Sequence, residues 1–422
     1  MAFNPVKSYP TLPAERVDVP TSMQSNQLPR VLQSGKRIVS VSSSNGDQRS
    51  GGMLSFILPS NMGSGFLKSG SAYLKCNIAV TQAVANSWAF RQYGAAHSII
   101  ARETLLASGA IVEQISQANR LYSSLLLHAS NYAYAAGDDK IFQNTFSGDA
   151  AVGNIDVVIP VILGSLNSAQ DFPLFLVNSL QLNIDLDNIA GALSQISANA
   201  VSEYVVSKAT LVFEQVLPDS SYEAGVKQML SSGKVYNLPI NTWYNIRVAQ
   251  TGSITQNIGL NSSSLKSVLW NTVPYEVIAS AGHFTDGGQT SCKLYLDGAL
   301  VCNFNLDNVP QQFGEMNRAL NTCFDCDRTS VAPVADTGNT CVANDFLANT
   351  NRITRALYSS GAYLGGLSTS KSSEANFSFS GTPCNSAVLE FLGTTTTGSM
   401  YIYCALQQMV LVGADGSCNV MK

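Results

Sequence analysis

The sequence predicts an all-β chain built as two consecutive β-sandwiches with short inserted helices. Three observations carry this. Leu180, Leu182, Ile184 and Leu186 alternate with Gln181, Asn183 and Asp185, the period-two pattern of a strand with one buried face. Strand-like runs recur at short intervals on both sides of one break at residues 218–233. The length of 422 residues exceeds what a single core usually supports, so two domains are expected.

Taken in order, residues 1–37 are rich in Pro, Ser, Gln and Asn and read as an extended arm. The first 50 residues carry six basic and three acidic side chains. That excess can face nucleic acid or lipid head groups, but an arm tied to neighbouring protein is the favoured reading. Strands are expected at 53–58, closed by Pro59, at 72–80, and at 99–106 and 110–115 around an Ala-Ser-Gly turn. From Glu113 to Ser130 the apolar spacing becomes three and four, with Ile115, Ala118, Leu121, Tyr122, Leu125 and Leu126 on one helical face. Residues 157–163 are apolar on both faces and suit a strand buried between two layers. The alternating strand 180–186 and a closing strand at 204–216 follow. Eight strands and one helix over 38–217 make an eight-stranded jelly roll.

Residues 218–233 read as a linker holding one short helix and a glycine stop. Strands then resume at 234–240, 244–250, 265–270 and 292–296, the last entering an Asp297-Gly298 hairpin to 300–304. A helix at 310–323 carries Phe313, Met316, Leu320 and Cys323, and a polar loop spans 325–352. Strands at 376–379, 387–392 and 400–412 close a second eight-stranded jelly roll over 234–422.

Charged residues make up 12% of the chain, about half the usual share. Such a surface is expected to be covered largely by partners. A net charge of −4 and a pI near 5.4 argue against a large nucleic-acid-binding face. The N-terminus lacks the apolar core of a signal peptide, so synthesis in the cell interior is expected. No apolar window reaches membrane-spanning length. Nine irregularly spaced cysteines are expected to stay mostly reduced.

No catalytic, cofactor-binding or metal-binding residue is assigned, and the chain is not read as an enzyme. His97, His128 and His283 lie in no metal-spaced motif. Cys323 and Cys326 form a lone CxxC with only Cys341 near, and are read as incidental thiols rather than a disulfide or metal site. Residues 361–366 lack both GxGxxG spacing and a Walker lysine, leaving a loop or strand bend. Asp185, Asp187 and Asn188 lack the glycine and distal glutamate of a calcium loop. Asp138-Asp139-Lys140 is a solvated turn, and the sequons at Asn261 and Asn376 matter only on a secretory route. A hydrolase would want paired carboxylates, yet acids are sparse. A carbohydrate-binding, lectin-like sandwich would want clustered aromatics, yet Trp88, Trp243 and Trp270 are scattered.

Several stretches carry a more specific likeness: RETLLASGAIVEQISQANRL at 102–121, DFPLFLVNSLQLNIDL at 171–186, SSLKSVLW at 263–270, YLDGALVCNFNLDN at 295–308 with FGEMNRAL after it, and MYIYCALQQMVLVGADGSCNV at 400–420. In that order they resemble the double jelly-roll major capsid proteins, the lineage of adenovirus hexons, polinton-like and virophage capsids, and tailless phages with internal membranes. This chain would be a compact member without long tower loops. The resemblance implies a homotrimer forming a pseudo-hexameric capsomer that tiles an icosahedral shell around the genome, and a place in the virion. It implies neighbouring capsomers, penton and minor capsid proteins as partners, with an internal membrane or the genome meeting the N-terminal arm, and no small-molecule substrate. The lectin-like reading is the alternative.

Overall fold

A computed structural model describes residues 35–82, 88–90, 92–128, 154–167, 170–195, 201–274, 284–306, 308–321, 358–359, 361, 363–370, 380–393 and 396–421. The first eight principal strands are β1 (Gly35–Ser42), β2 (Met53–Leu58), β3 (Tyr73–Gln82), β4 (Ile100–Ala107), β5 (Ala110–Ser116), β6 (Asn154–Pro160), β7 (Leu180–Leu186) and β8 (Val201–Leu217), with helix α1 (Ala118–His128) after β5. They form two antiparallel sheets, β1-β8-β3-β6 and β2-β7-β4-β5. Helix α2 (Ser220–Ser231) leads to β9 (Tyr236–Gln250), β10 (Ile254–Ile258), β11 (Ser262–Val273), β12 (Ser291–Leu296), β13 (Ala299–Asn305), helix α3 (Val309–Asn321), β14 (Gly365–Ser368), β15 (Ala387–Leu392) and β16 (Gly398–Val412). Their sheets are β9-β16-β11-β14 and β10-β15-β12-β13. Within each set of eight, one sheet orders its strands first, eighth, third, sixth and the other second, seventh, fourth, fifth. That is the jelly-roll arrangement, present twice.

The local chemistry explains the pairing. Leu180, Leu182, Ile184 and Leu186 of β7 all point into the first core, where Leu182 lies opposite Phe56 of β2 and Leu105 of β4. Two hairpins turn through Ser108-Gly109 (φ 51° and 82°) and Asp297-Gly298 (φ 48° and 82°). Positive φ at both central residues matches the twist of the flanking strands, and glycine takes the second position at no steric cost.

Some boundaries differ from the sequence reading. The paired chain begins at Gly35, so the end of the 1–37 stretch already belongs to β1. The helix after β5 starts at Ala118 rather than Glu113, because Glu113 and Ile115 pair with β4 and Gln117 breaks the strand at φ 53°. Residues 157–163 are not one doubly covered strand. β6 stops at Pro160 and buries one face through Ile155, Val157 and Ile159. The runs 234–240 and 244–250 are one continuous strand, β9. Gly365 and Gly366 lie in β14, where a Cβ would meet the Trp270 ring or the Leu269 side chain, so their glycines serve packing. The stretch read as a linker holds a docked helix. Glu223 of α2 is buried and accepts the backbone N–H groups of Gly63 and Gly65 at 2.7 and 3.0 Å. The predicted loop 325–352 and strand 376–379 lie outside the described residues.

Candidate functional site: the seam between the two rolls

A cluster of buried polar groups bridges the two rolls. The edge strand β5 of the first roll lies against β9 of the second. Glu113 of β5 is buried and accepts the N–H groups of Gly164 (2.9 Å) and Ser165 (2.7 Å), with the Thr242 hydroxyl as a further partner from β9. Burial pushes its carboxyl above the ordinary range, and the bonds from Ser165, Thr242 and Gly164 only partly oppose that. Asn245 of β9 donates through Nδ2 to the Ser116 carbonyl at 2.6 Å. Gly164 faces the Asn241 backbone so closely that only glycine fits.

Helix α1 continues the seam. Asn271 of β11 donates to Ser124 Oγ at 2.6 Å, and Tyr403 donates to Asn271 Oδ1 at 3.2 Å. The Arg120 guanidinium stands over the Tyr401 ring, 6.0 Å from its centroid, a cation–π contact. At the far end, Ser108 Oγ donates to the Gly416 carbonyl (2.8 Å) and Asn178 Nδ2 to the Asp415 carbonyl (2.7 Å). Arg120, Ser124, Thr242, Asn245 and Asn271 are all buried. Each such group costs about 1–3 kcal/mol if left unpaired, so a slipped register between the rolls is penalised at several points at once. The seam therefore holds the two rolls in one orientation.

The residues weighed for chemistry sit elsewhere. His97 is buried, stacked on Tyr122 with centroids 4.2 Å apart, and its Nε2 is 3.6 Å from Glu103 Oε1. His128 ends α1 beside Tyr358. Asp185 pairs with Arg102 across the sheet, Asp187 accepts from Asn119 at 2.6 Å, and Asn188 caps a short helical turn. Asn261 occupies a turn at φ 41°. Six described cysteines are free, and burial pushes the Cys76 thiol up to about 12, which keeps it protonated. Trp88 and Trp270 are buried and Trp243 is half-buried. Among the described residues no three His, Cys, Asp or Glu side chains gather as a metal site, and no helix is long and apolar enough to cross a membrane. His283, Cys323, Cys326, Cys341, Asn376 and residues 138–140 lie outside the described residues.

Sequence reasoning missed the seam. Its signal was polar residues where a core-facing strand would carry apolar ones, as at Glu113, Thr242 and Asn245, and that pattern was read as a helix start and a strand break.

No protein-family model matches the chain, and no curated protein matches it in sequence. Solved structures do match. PBCV-1 Vp54, as fitted into a reconstruction of the virophage Sputnik, is similar over 92% of this chain and 97% of its own, with TM-score 0.59 and 10% identity. The Faustovirus major capsid protein is similar over 90% and 91%, with TM-score 0.57 and 6% identity. A chain of the Sputnik virophage is similar over 92% and 88%, with TM-score 0.55 and 13% identity. With its two rolls of one strand order, and with nearly the whole length of each chain matched, this chain has the double jelly-roll fold of the viral major capsid proteins.

Proposed function

We propose that this chain is a structural major capsid protein. Three copies would form a pseudo-hexameric capsomer, six rolls in a ring, and capsomers would tile an icosahedral shell around the genome. The observation that carries this is the fixed pairing of two rolls of one topology by a buried seam, in a fold shared with the Faustovirus major capsid protein. Two rolls set rigidly side by side are a third of a six-fold tile. The division into a first roll running from Gly35 to residue 217 and a second over 234–422, joined through 218–233, belongs to this reading. So do neighbouring capsomers, penton and minor capsid proteins as partners, and an arm that meets an internal membrane or the genome. The protein would be made in the host interior and would reside in the virion. No catalysis is part of its role.

Sedimentation velocity and electron microscopy of the purified chain test this. Three-chain particles with a six-lobed outline are expected. A single-chain species at all concentrations that binds glycans would replace this reading with the lectin-like one.

A further inference from the structure

One edge of the first roll is covered by a side chain rather than a strand. In the sheet β2-β7-β4-β5, β2 is an outer strand and pairs with β7 on one side only. On its other side, the Ser44 N–H donates to the Ser55 carbonyl at 2.8 Å. Asn45 continues that ladder with its carboxamide. Its Oδ1 accepts the Ser55 N–H at 3.1 Å and the Ser43 hydroxyl at 2.7 Å, and its Nδ2 donates to the Met53 carbonyl. The side-chain amide thus stands in for a backbone amide on an edge that would otherwise present bare N–H and C=O groups.

The residue that follows is Gly46, and 45–46 is the one Asn-Gly pair in the chain. Both residues are exposed. Gly46 has φ 69°, and a Cβ placed on it would meet open space. Glycine after asparagine leaves the backbone nitrogen unobstructed, because no Cβ stands in the way of the side-chain carbonyl carbon. One exposed asparagine therefore combines a reactive neighbour with a carboxamide engaged at both its oxygen and its nitrogen.

We propose that Asn45 is a site of spontaneous deamidation, timed by how often its carboxamide leaves the edge of β2. The Gly46 nitrogen attacks Asn45 Cγ and forms a new C–N bond. The bond from Cγ to Nδ2 breaks, and Nδ2 leaves as ammonia, taking through water the proton that the Gly46 nitrogen gives up. Water then opens the five-membered imide at either carbonyl, which leaves aspartate or isoaspartate at position 45. Nothing is oxidised or reduced, and water is the only co-reactant. Cγ turns toward Gly46 once the bonds to Ser43, Met53 and Ser55 are released, so the folded chain reacts through a locally open fraction. The product has no Nδ2 donor for the Met53 carbonyl and sets a negative charge in its place. Covering of the β2 edge is therefore weakened by a one-way chemical change.

The test incubates the purified full chain at mildly alkaline pH, folded and in guanidinium chloride, and follows the tryptic peptide 38–49. Asn45 is the one asparagine in that peptide. Mass spectrometry reads conversion, and chromatography separates the aspartate and isoaspartate forms. Both forms are expected from the folded chain. Conversion in guanidinium should be about 10- to 100-fold faster, because the bonds that hold the carboxamide are gone. Ser43→Ala removes one bond to Oδ1 and should speed the folded chain by about 2- to 10-fold while leaving the rate in guanidinium unchanged. Gly46→Ala should slow conversion in guanidinium, where its backbone angle no longer matters. N45D, which makes one product directly, should raise the unfolding constant by about 2- to 10-fold in a denaturant titration. The proposal is overturned by a folded chain still unconverted after many times the incubation that finishes the denatured sample. Equal folded and denatured rates, an inert Ser43→Ala, a Gly46→Ala chain that converts as fast, an N45D chain as stable as the unaltered one, or earlier conversion at another asparagine would each overturn it too.

Discussion

Gly164 of the first roll lies against the carbonyl of Asn241 in the second, so that a Cβ added to Gly164 would overlap that oxygen and stand 2.7 Å from its carbon. The obstacle is backbone within β9 and cannot rotate away. Gly164→Ala must therefore displace one roll from the other or unseat the turn at Gly164–Asn167. Its cost should fall in the range of about 1–3 kcal/mol typical of overpacking. Chemical denaturation would measure it, and a change below about 0.5 kcal/mol would show that the rolls do not meet as described.

Glu113 makes the same seam sensitive to pH. Burial raises its carboxyl above the ordinary 4.5. The folded chain then binds the proton more tightly than the unfolded chain. The resulting contribution to stability is full below about 4.5 and is lost as pH rises through the raised value. Glu113→Gln has no such group. The stability difference between the two proteins should move in favour of the unaltered chain as pH falls from 7 to 5. Urea titrations at pH 7, 6 and 5 would read this, and a constant difference would mean that Glu113 titrates normally.

How much of this was legible in the sequence depended on what covers each strand. The strand β7 was readable because one face meets the core and the other meets solvent, so Leu180 to Leu186 alternate cleanly. The strand β9 was split in two because Asn241, Thr242 and Asn245 break that alternation. Thr242 and Asn245 are in fact buried, and the Thr242 hydroxyl and the Asn245 Nδ2 group bond to the first roll rather than to water. Glu113 misled in the same way. A buried carboxylate on an edge strand mimics the polar start of a helix until its partners at Gly164 and Ser165, some 50 residues away, are in view. Hydrophobic patterning reports burial against one apolar layer. It cannot report burial against a second, polar one.

The readable strand offers a direct check of the first core. Leu182 is fully buried between Phe56 and Leu105. Leu182→Ala should cost about 2–5 kcal/mol by opening a cavity. Guanidinium titration that returned less than about 0.5 kcal/mol would mean that the register of β7 is shifted by one residue, placing Leu182 on the outer face.

The connection between the rolls supplies the last prediction. Composition marks residues 218–233 as a linker, and an open linker is a preferred cleavage site. The docked α2 argues otherwise. Glu223 takes the N–H groups of Gly63 and Gly65, and Tyr222 leans on Phe66 with ring centroids 6.2 Å apart. Cleavage within Ser220–Ser231 therefore requires the helix to leave the first roll. Glu223→Ala strands both N–H donors, each at a cost of about 1–3 kcal/mol, and so favours that opening. If opening and closing are fast relative to cutting, the cleavage rate follows the population of the open form. Dissociated subunits under brief proteolysis should resist cutting in this segment, and the Glu223→Ala protein should be cut there at least about 10-fold faster. Equal rates would mean that α2 is not held by Glu223, and that the two rolls are joined by an open tether whose orientation depends on the seam alone.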